Sequence, residues 1–256
     1  FLKKNLIRKG YSNLVEIKDN ESVTFKEFKI TMFKPFVGHI FEESLLGNLI
    51  DSAIVLQDDL STCVNFNDNT PDLNSCVKLN KKFPNIDLAM LNYNAAGPYP
   101  SCFDNLSENE KKSENKRILK RNFDHLCNII PFLKPKAILP FAGSYILAGK
   151  NNFKNQYLGT TTWDECADYL MENLKTNTYV LCLREGDIFN LERMKSNKEY
   201  KRIDTQEMDT YIKKIKNVKY VYEEDCEPNL DILRQDIFDA KSKLSERLKN
   251  FKLNIK

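Results

Sequence analysis

The chain is short of histidine, of long apolar runs and of net charge, and each shortage excludes something. It has two histidines, His39 and His125, so imidazole chemistry within these residues is tightly bounded. No run approaches the roughly 20 apolar residues that a membrane helix needs, and no apolar segment follows a basic start as in a secretory leader. A soluble, cytoplasmic protein is the expectation. The 39 basic and 36 acidic residues leave a net charge of +3, too little to mark a nucleic-acid surface without a local patch. The seven cysteines are dispersed and never spaced as Cys-x-x-Cys, which argues against zinc ribbons and redox pairs. They read as reduced thiols packed like small apolar side chains, as Cys182 does within Tyr179–Leu183. Internal repeats, low-complexity tracts and long linkers are also missing.

What is there is a folded-domain composition, 256 residues with 41% hydrophobic and 29% charged. The chain starts at Phe1 rather than Met, and Leu2 and Leu6 share the face of a helix that Gly10 stops. With no N-cap before it, this reads as the end of a helix, so the chain is expected to be a fragment of something longer. Leu14–Ile17, Ser22–Phe25 and Phe28–Phe33 read as strands of a meander, joined by the hairpin of Ala53–Leu56 and Thr62–Phe66 around Asp58-Asp59. The pattern then changes to alternating strands and helices. Ile86–Leu91 is a strand, and Ser107–Glu110 is a capping box opening a helix that carries Leu119, Phe123, Leu126 and Ile130 until Pro131. Ala137–Phe141 is a strand, Thr162–Glu165 a second capping box with Ala167, Leu170 and Leu174 behind it, and Val180 lies in a last strand. This order predicts an antiparallel sheet over 12–68 beside a mixed α/β layer over 86–183. A boundary falls near Arg184 to Lys201, and the helix from Pro228-Asn229 onward, with Leu230, Leu233, Ile237, Leu244, Leu248 and Phe251, is expected to pack on something.

Two places invite chemistry. His39 follows a strand in Pro35-Phe-Val-Gly-His-Ile40, where a loop lifts side chains above a sheet edge. Asp68 sits in Asn65-Phe-Asn-Asp-Asn-Thr-Pro71 after another strand, where it either makes an Asx-turn or serves as a metal ligand beside the histidine. Asn65, Asn67 and Asn69 are placed to fix its carboxylate. His125, within the amphipathic helix, reads as a structural residue near the solvent edge.

The meander, the Gly38-His39 strand end, the hairpin and the Asn65–Asp68 turn resemble, in order and in residues, the second half of a metallo-β-lactamase-fold domain. The resemblance covers roughly 1–185 and implies part of an αββα sandwich, mixed sheets flanked by helices, with 186–256 as an α/β to helical C-terminal extension. It further implies that His39 is the late metal-ligand histidine and Asp68 the metal-bridging aspartate, with a catalytic share. The His-x-His-x-Asp-His motif of the family would lie upstream of Phe1, so the missing N-terminal half of the domain becomes the expected partner. Pro140-Phe-Ala-Gly-Ser-Tyr145 is similar to a segment of the CMP-N-acetylneuraminate hydroxylase-like branch, whose members carry a Rieske domain before the sandwich. Where many relatives have a final ligand histidine, Phe141, Ala142 and Gly143 stand here, which puts a complete two-metal site in doubt.

The chemistry so implied is that of a divalent metal (zinc, iron or manganese) in the intact protein, lowering the pKa of a bound water. The expected function is a metal-dependent hydrolase-like domain of a larger enzyme acting on a small anionic or sugar-type substrate. Two alternatives remain: the sandwich domain of a Rieske-type nucleotide-sugar oxygenase, or a non-catalytic binding module of the same fold. Asn92 and Asn94 would offer amide donors and Tyr99 an aromatic wall to the substrate, with Gly143 and Tyr145 beside them; the plainer reading of 92–103 is a connecting loop. With two candidate ligands, the fragment alone is expected to bind metal weakly or not at all and to be inactive.

Overall fold

A computed structural model of the chain describes residues 2–36, 51–141, 143–221 and 229–249. His39 lies outside the described residues. The chain opens with α1 (Leu2–Arg8), and Gly10 follows it at φ +90°, the left-handed stop that the sequence indicates. Leu14–Ile17 is not a strand. The strand that follows, β1, is the sheet edge among the described residues, so no described strand lies beyond it to complete a ladder, and Glu16 instead pairs with Lys3 at 2.9 Å.

The strands β1 (Ser22–Phe25), β2 (Phe28–Phe33), β3 (Ala53–Gln57) and β4 (Thr62–Asn65) form the antiparallel meander, with Asp58 in the β3–β4 hairpin accepting from the Leu60 and Ser61 amides. From β4 onward the pairing is parallel, through β5 (Leu88–Asn92), β6 (Ala137–Phe141) and the short β7 (Tyr179–Val180). The meander and the α/β half are therefore not separate layers: β4 joins them edge to edge in one seven-stranded mixed sheet, with strands in sequence order. Helices α2 (Leu73–Lys82), α3 (Glu108–Leu133) and α4 (Trp163–Asn173) connect the parallel strands.

Local chemistry explains these helices. Asp72 caps α2 by accepting from the Ser75 amide, and Ser107 and Glu110 complete the capping box of α3. Thr162 caps α4, while the Glu165 carboxylate takes the hydroxyl of Thr161 instead of closing the box on Thr162. Pro131 does not end α3. The helix runs through it to Leu133 and stops at Lys134 in the left-handed conformation, because a proline this close to the C-terminus costs one internal bond. The neighbouring Ile129, Ile130 and Leu133 are fully buried and hold the last turn in place.

Register sorts the strand side chains into two faces. Val55, Val64, Ala89, Leu91 and Ile138 lie on one face and form the core with Cys76 and Leu79 of α2, Phe123, Leu126, Ile129, Ile130 and Leu133 of α3, and Cys166 and Leu170 of α4. The opposite face carries Ile30, Met32, Ile54, Leu56, Cys63, Leu88, Met90, Leu139 and Phe141, all of them half-buried or exposed. At the N-terminal edge of the parallel strands Asp87 ties three of them together, accepting from the Thr62 amide at 2.7 Å and from Lys136 Nζ at 2.7 Å.

After β7 come a two-stranded hairpin, β8 (Phe189–Asn190) and β9 (Lys195–Ser196), then α5 (Thr205–Ile215) capped by Asp204, and α6 (Leu230–Lys249). The hairpin region is anchored on α4, where Arg202 forks onto Asp168 at 2.9 and 2.5 Å. The α6 side chains described are almost all exposed, with Leu230 and Ile237 about as open as its polar residues. The packing expected of that helix is not found among the described residues.

Candidate functional site

The parallel strands β4 to β7 deliver their C-terminal ends to one edge, and β2, running in the same direction, delivers its own there too. In open α/β sheets this edge is where ligands bind, because the loops that leave it are free to diverge. The sequence places its candidates here: Asp68 beyond β4, Asn92 and Asn94 at the end of β5, and Gly143 and Tyr145 beyond β6.

The Asp68 loop is built from its own asparagines. Asn65 Oδ1 accepts from the Asn67 amide at 2.8 Å, closing a turn in which Asn67 takes φ +49°. Asn69, buried, works at longer range: its Oδ1 accepts from the Phe36 amide at 2.8 Å and its Nδ2 donates to the Lys34 carbonyl at 3.1 Å. Asn69 thus laces the exit of β2 to the Asp68 loop. The carboxylate itself is held by a residue that the loop does not contain. Asn92 Nδ2 donates to Asp68 Oδ1 at 2.9 Å, so the orienting partner is Asn92 rather than Asn65, Asn67 or Asn69. Asp68 is otherwise exposed.

Asn92 is fixed in turn, because its Oδ1 accepts from the Asn94 amide at 2.9 Å. Asn94 is committed to the segment before α4, donating to the Thr161 carbonyl at 2.9 Å and accepting from the Thr161 amide at 3.0 Å. The same carbonyl receives Ser144 Oγ at 2.6 Å and the Tyr93 hydroxyl at 3.3 Å. Burial pushes the Tyr93 phenol up to about 12, so it stays protonated and able to donate. Gly143 packs against this network at φ +144°, where an added Cβ would stand 2.9 Å from Asn94 Cβ. Asn94 and Gly143 therefore position the edge.

The two tyrosines lie apart from this network. Tyr99 donates to Glu114 Oε2 at 2.8 Å and meets Phe103 edge-on at 5.0 Å, which holds it at the start of α3. Tyr145 is half-buried, with its phenol raised by desolvation first and by Cys102 second.

Residues that the sequence reading did not single out complete the surroundings. Beside Asn92 and Asn94 a cavity of about 270 Å³ is lined also by Thr70, Arg121, Asn122 and His125. His125 reads from sequence as a structural residue near solvent. Its Nε2 lies 3.1 Å from the Pro71 carbonyl, which can only accept, so Nε2 carries the proton. Arg121, Asn122 and His125 fall within one helical turn of α3, a spacing that points them toward one neighbourhood but gives no sign of which strand ends they meet.

Among the described residues no three His, Cys, Asp or Glu side chains approach closely enough to hold a metal ion. Asp68 supplies one hard oxygen with an orienting amide, and one carboxylate does not make a zinc-type site, which takes at least three protein donors.

Fold and site together define a mixed α/β domain whose carboxylate-bearing edge is assembled from the loops of parallel strands. Known proteins bracket it only loosely. No family model and no curated protein matches the sequence. Similar solved structures include CmlA, a diiron beta-hydroxylase from Streptomyces venezuelae, at TM-score 0.46 and 14% identity, over 70% of this chain and 35% of that one. They also include the metallo-beta-lactamase fold protein YhfI from Bacillus subtilis, at TM-score 0.39 and 12% identity over 70% of this chain and 59% of that one. An isothiocyanate hydrolase from Delia radicum gut bacteria matches at TM-score 0.40 and 14% identity, over 71% of this chain and 60% of its own. The chain thus spans from about a third to three fifths of the length of these proteins.

Proposed function

We propose that this chain is part of a metal-dependent, hydrolase-like domain of a larger enzyme, with His39 and Asp68 as its share of the metal ligands and a small anionic or sugar-type molecule as substrate. The observation that carries this reading is the Asn69 bridge, which ties the backbone at Phe36, shortly before His39 in sequence, to the loop bearing Asp68. A held carboxylate and a histidine-bearing segment entering at one sheet edge are the ingredients of a ligand set gathered from distant parts of a chain. Two donors do not close such a site, so the remaining ligands belong to another part of the protein, and the isolated chain holds zinc weakly.

The open sheet face supports the same reading. Parallel strands are normally covered on both faces, and among the described residues α2, α3 and α4 cover one while the other presents Leu56, Met90, Leu139 and Phe141. We assign that face to a second sheet supplied by the same protein, the missing half of the domain. The test is metal analysis and hydrolysis by the full-length protein against its D68N and H39A variants. Loss of both properties in each variant is expected; a D68N protein with undiminished metal content and turnover would overturn the reading.

A further inference from the structure

We propose that the cavity on α3 is an oxyanion subsite, in which Arg121 grips the carboxylate or phosphate group of the ligand that reaches the Asp68 edge. The proposal deepens the reading of that edge as the reactive one and rests on it.

The argument begins with charge. Arg121 has no carboxylate partner among the described residues, and its guanidinium reaches only the neutral Asn122 Oδ1, at long distances of 3.4 and 3.2 Å. Its neighbours on the helix are paired: Arg117 with Glu114 at 2.6 Å and Lys120 with Asp124 at 2.7 Å. The nearby carboxylates also have their own donors, Asp68 from Asn92, Asp72 from the Ser75 amide and Asp124 from Lys120 and Tyr169. Among the described residues Arg121 therefore makes no ion pair, and it lines the cavity beside Asn92 and His125.

Shape and donors agree with an oxyanion. About 270 Å³ is at the small end for ligand pockets and suits one compact group with its attached carbon or phosphorus. A planar guanidinium matches the geometry of carboxylate and phosphate oxygens, two donors to two acceptors. Thr70, a hydroxyl-bearing residue, lines the same cavity, and with His125 Nε2 committed to Pro71, Nδ1 is the ring nitrogen left to meet a ligand hydroxyl. Asn92 connects the subsite to the proposed chemistry, since it lines the cavity and at the same time donates to Asp68. A ligand anchored on Arg121 would extend along Asn92 toward the carboxylate. The walls are rigid because Asn94 and Asn92 are already fixed by Thr161 and by one another, so little ordering opposes binding.

The experiment titrates the chain with inorganic phosphate and, separately, with acetate, following the side-chain amide resonances of Asn92, Asn94 and Asn122 by NMR. Saturable shifts are expected, weakened roughly tenfold or more in R121Q, as for loss of a charge-assisted pair, and unchanged in R117Q. Tighter phosphate binding assigns a phosphoryl ligand and tighter acetate binding a carboxylate. Absence of saturable shifts with either ion, or equal affinity in R121Q and the unaltered chain, overturns the proposal. The D68N variant separates the two readings. Retained oxyanion binding in D68N with metal uptake also retained leaves the subsite standing and removes the metal assignment; D68N-sensitive metal uptake with no oxyanion binding does the reverse.

Discussion

At the scale of single residues, the candidate edge depends on close approach more than on charge. Gly143 is the clearest case, because its φ of +144° and the 2.9 Å approach to Asn94 Cβ leave no room for a methyl group. Gly143→Ala should lower stability by about 1–3 kcal/mol and shift the Asn94 amide resonance, read by denaturant titration and NMR. Thiols give a second check. Burial raises the Cys76 and Cys182 thiols to about 12 and pushes Cys166 higher, whereas Cys102 is exposed in the loop after β5. A thiolate reagent should therefore label Cys102 in the native protein and reach Cys76 and Cys166 only as it unfolds, as mass spectrometry of timed samples will report.

At the scale of elements, helix caps carry measurable and pH-dependent stability. Loss of the Ser107 half of the α3 capping box in Ser107→Ala should cost about 1 kcal/mol. Asp72 holds its carboxyl below the usual range, first through hydrogen bonds from Ser75, with a smaller contribution from Lys78. A folded-state pKa below the unfolded one means that the contribution is complete above about pH 4, the unfolded value, and is lost as pH falls through the folded value. Chemical denaturation of the unaltered chain and of Asp72→Ala should converge over that acid range and stay apart at neutral pH. The Ser107 cap was legible in the sequence, since Ser followed three residues later by Glu opens a helical pattern, whereas the Asp72 cap and its helix Leu73–Lys82 were not read from it. Leu14–Ile17 was misread as a strand because β propensity cannot indicate that the sheet ends at β1.

At the scale of the whole molecule, the apolar sheet face that no described helix covers is expected to show in solution behaviour. Leu56, at 38% exposure, stands among half-buried apolar neighbours, so Leu56→Lys should leave stability within about 0.5 kcal/mol while reducing self-association and dye binding by this face. Sedimentation and fluorescence titration decide the outcome, and unchanged association would show the face to be inert. The sequence by itself determined the α/β class, most of the strands, the Ser107 and Thr162 caps and the loops that carry Asp68 and Asn92, because these follow from periodicity and local hydrogen bonding, while the helix Leu73–Lys82 escaped it. Only the tertiary structure decided that β4 and β5 pair in parallel and merge the two halves into one sheet, that Asn92 rather than a nearer asparagine holds Asp68, and that Arg121 and His125 of α3 border the same edge. Those facts rest on contacts between residues far apart in the chain, which no local spacing records.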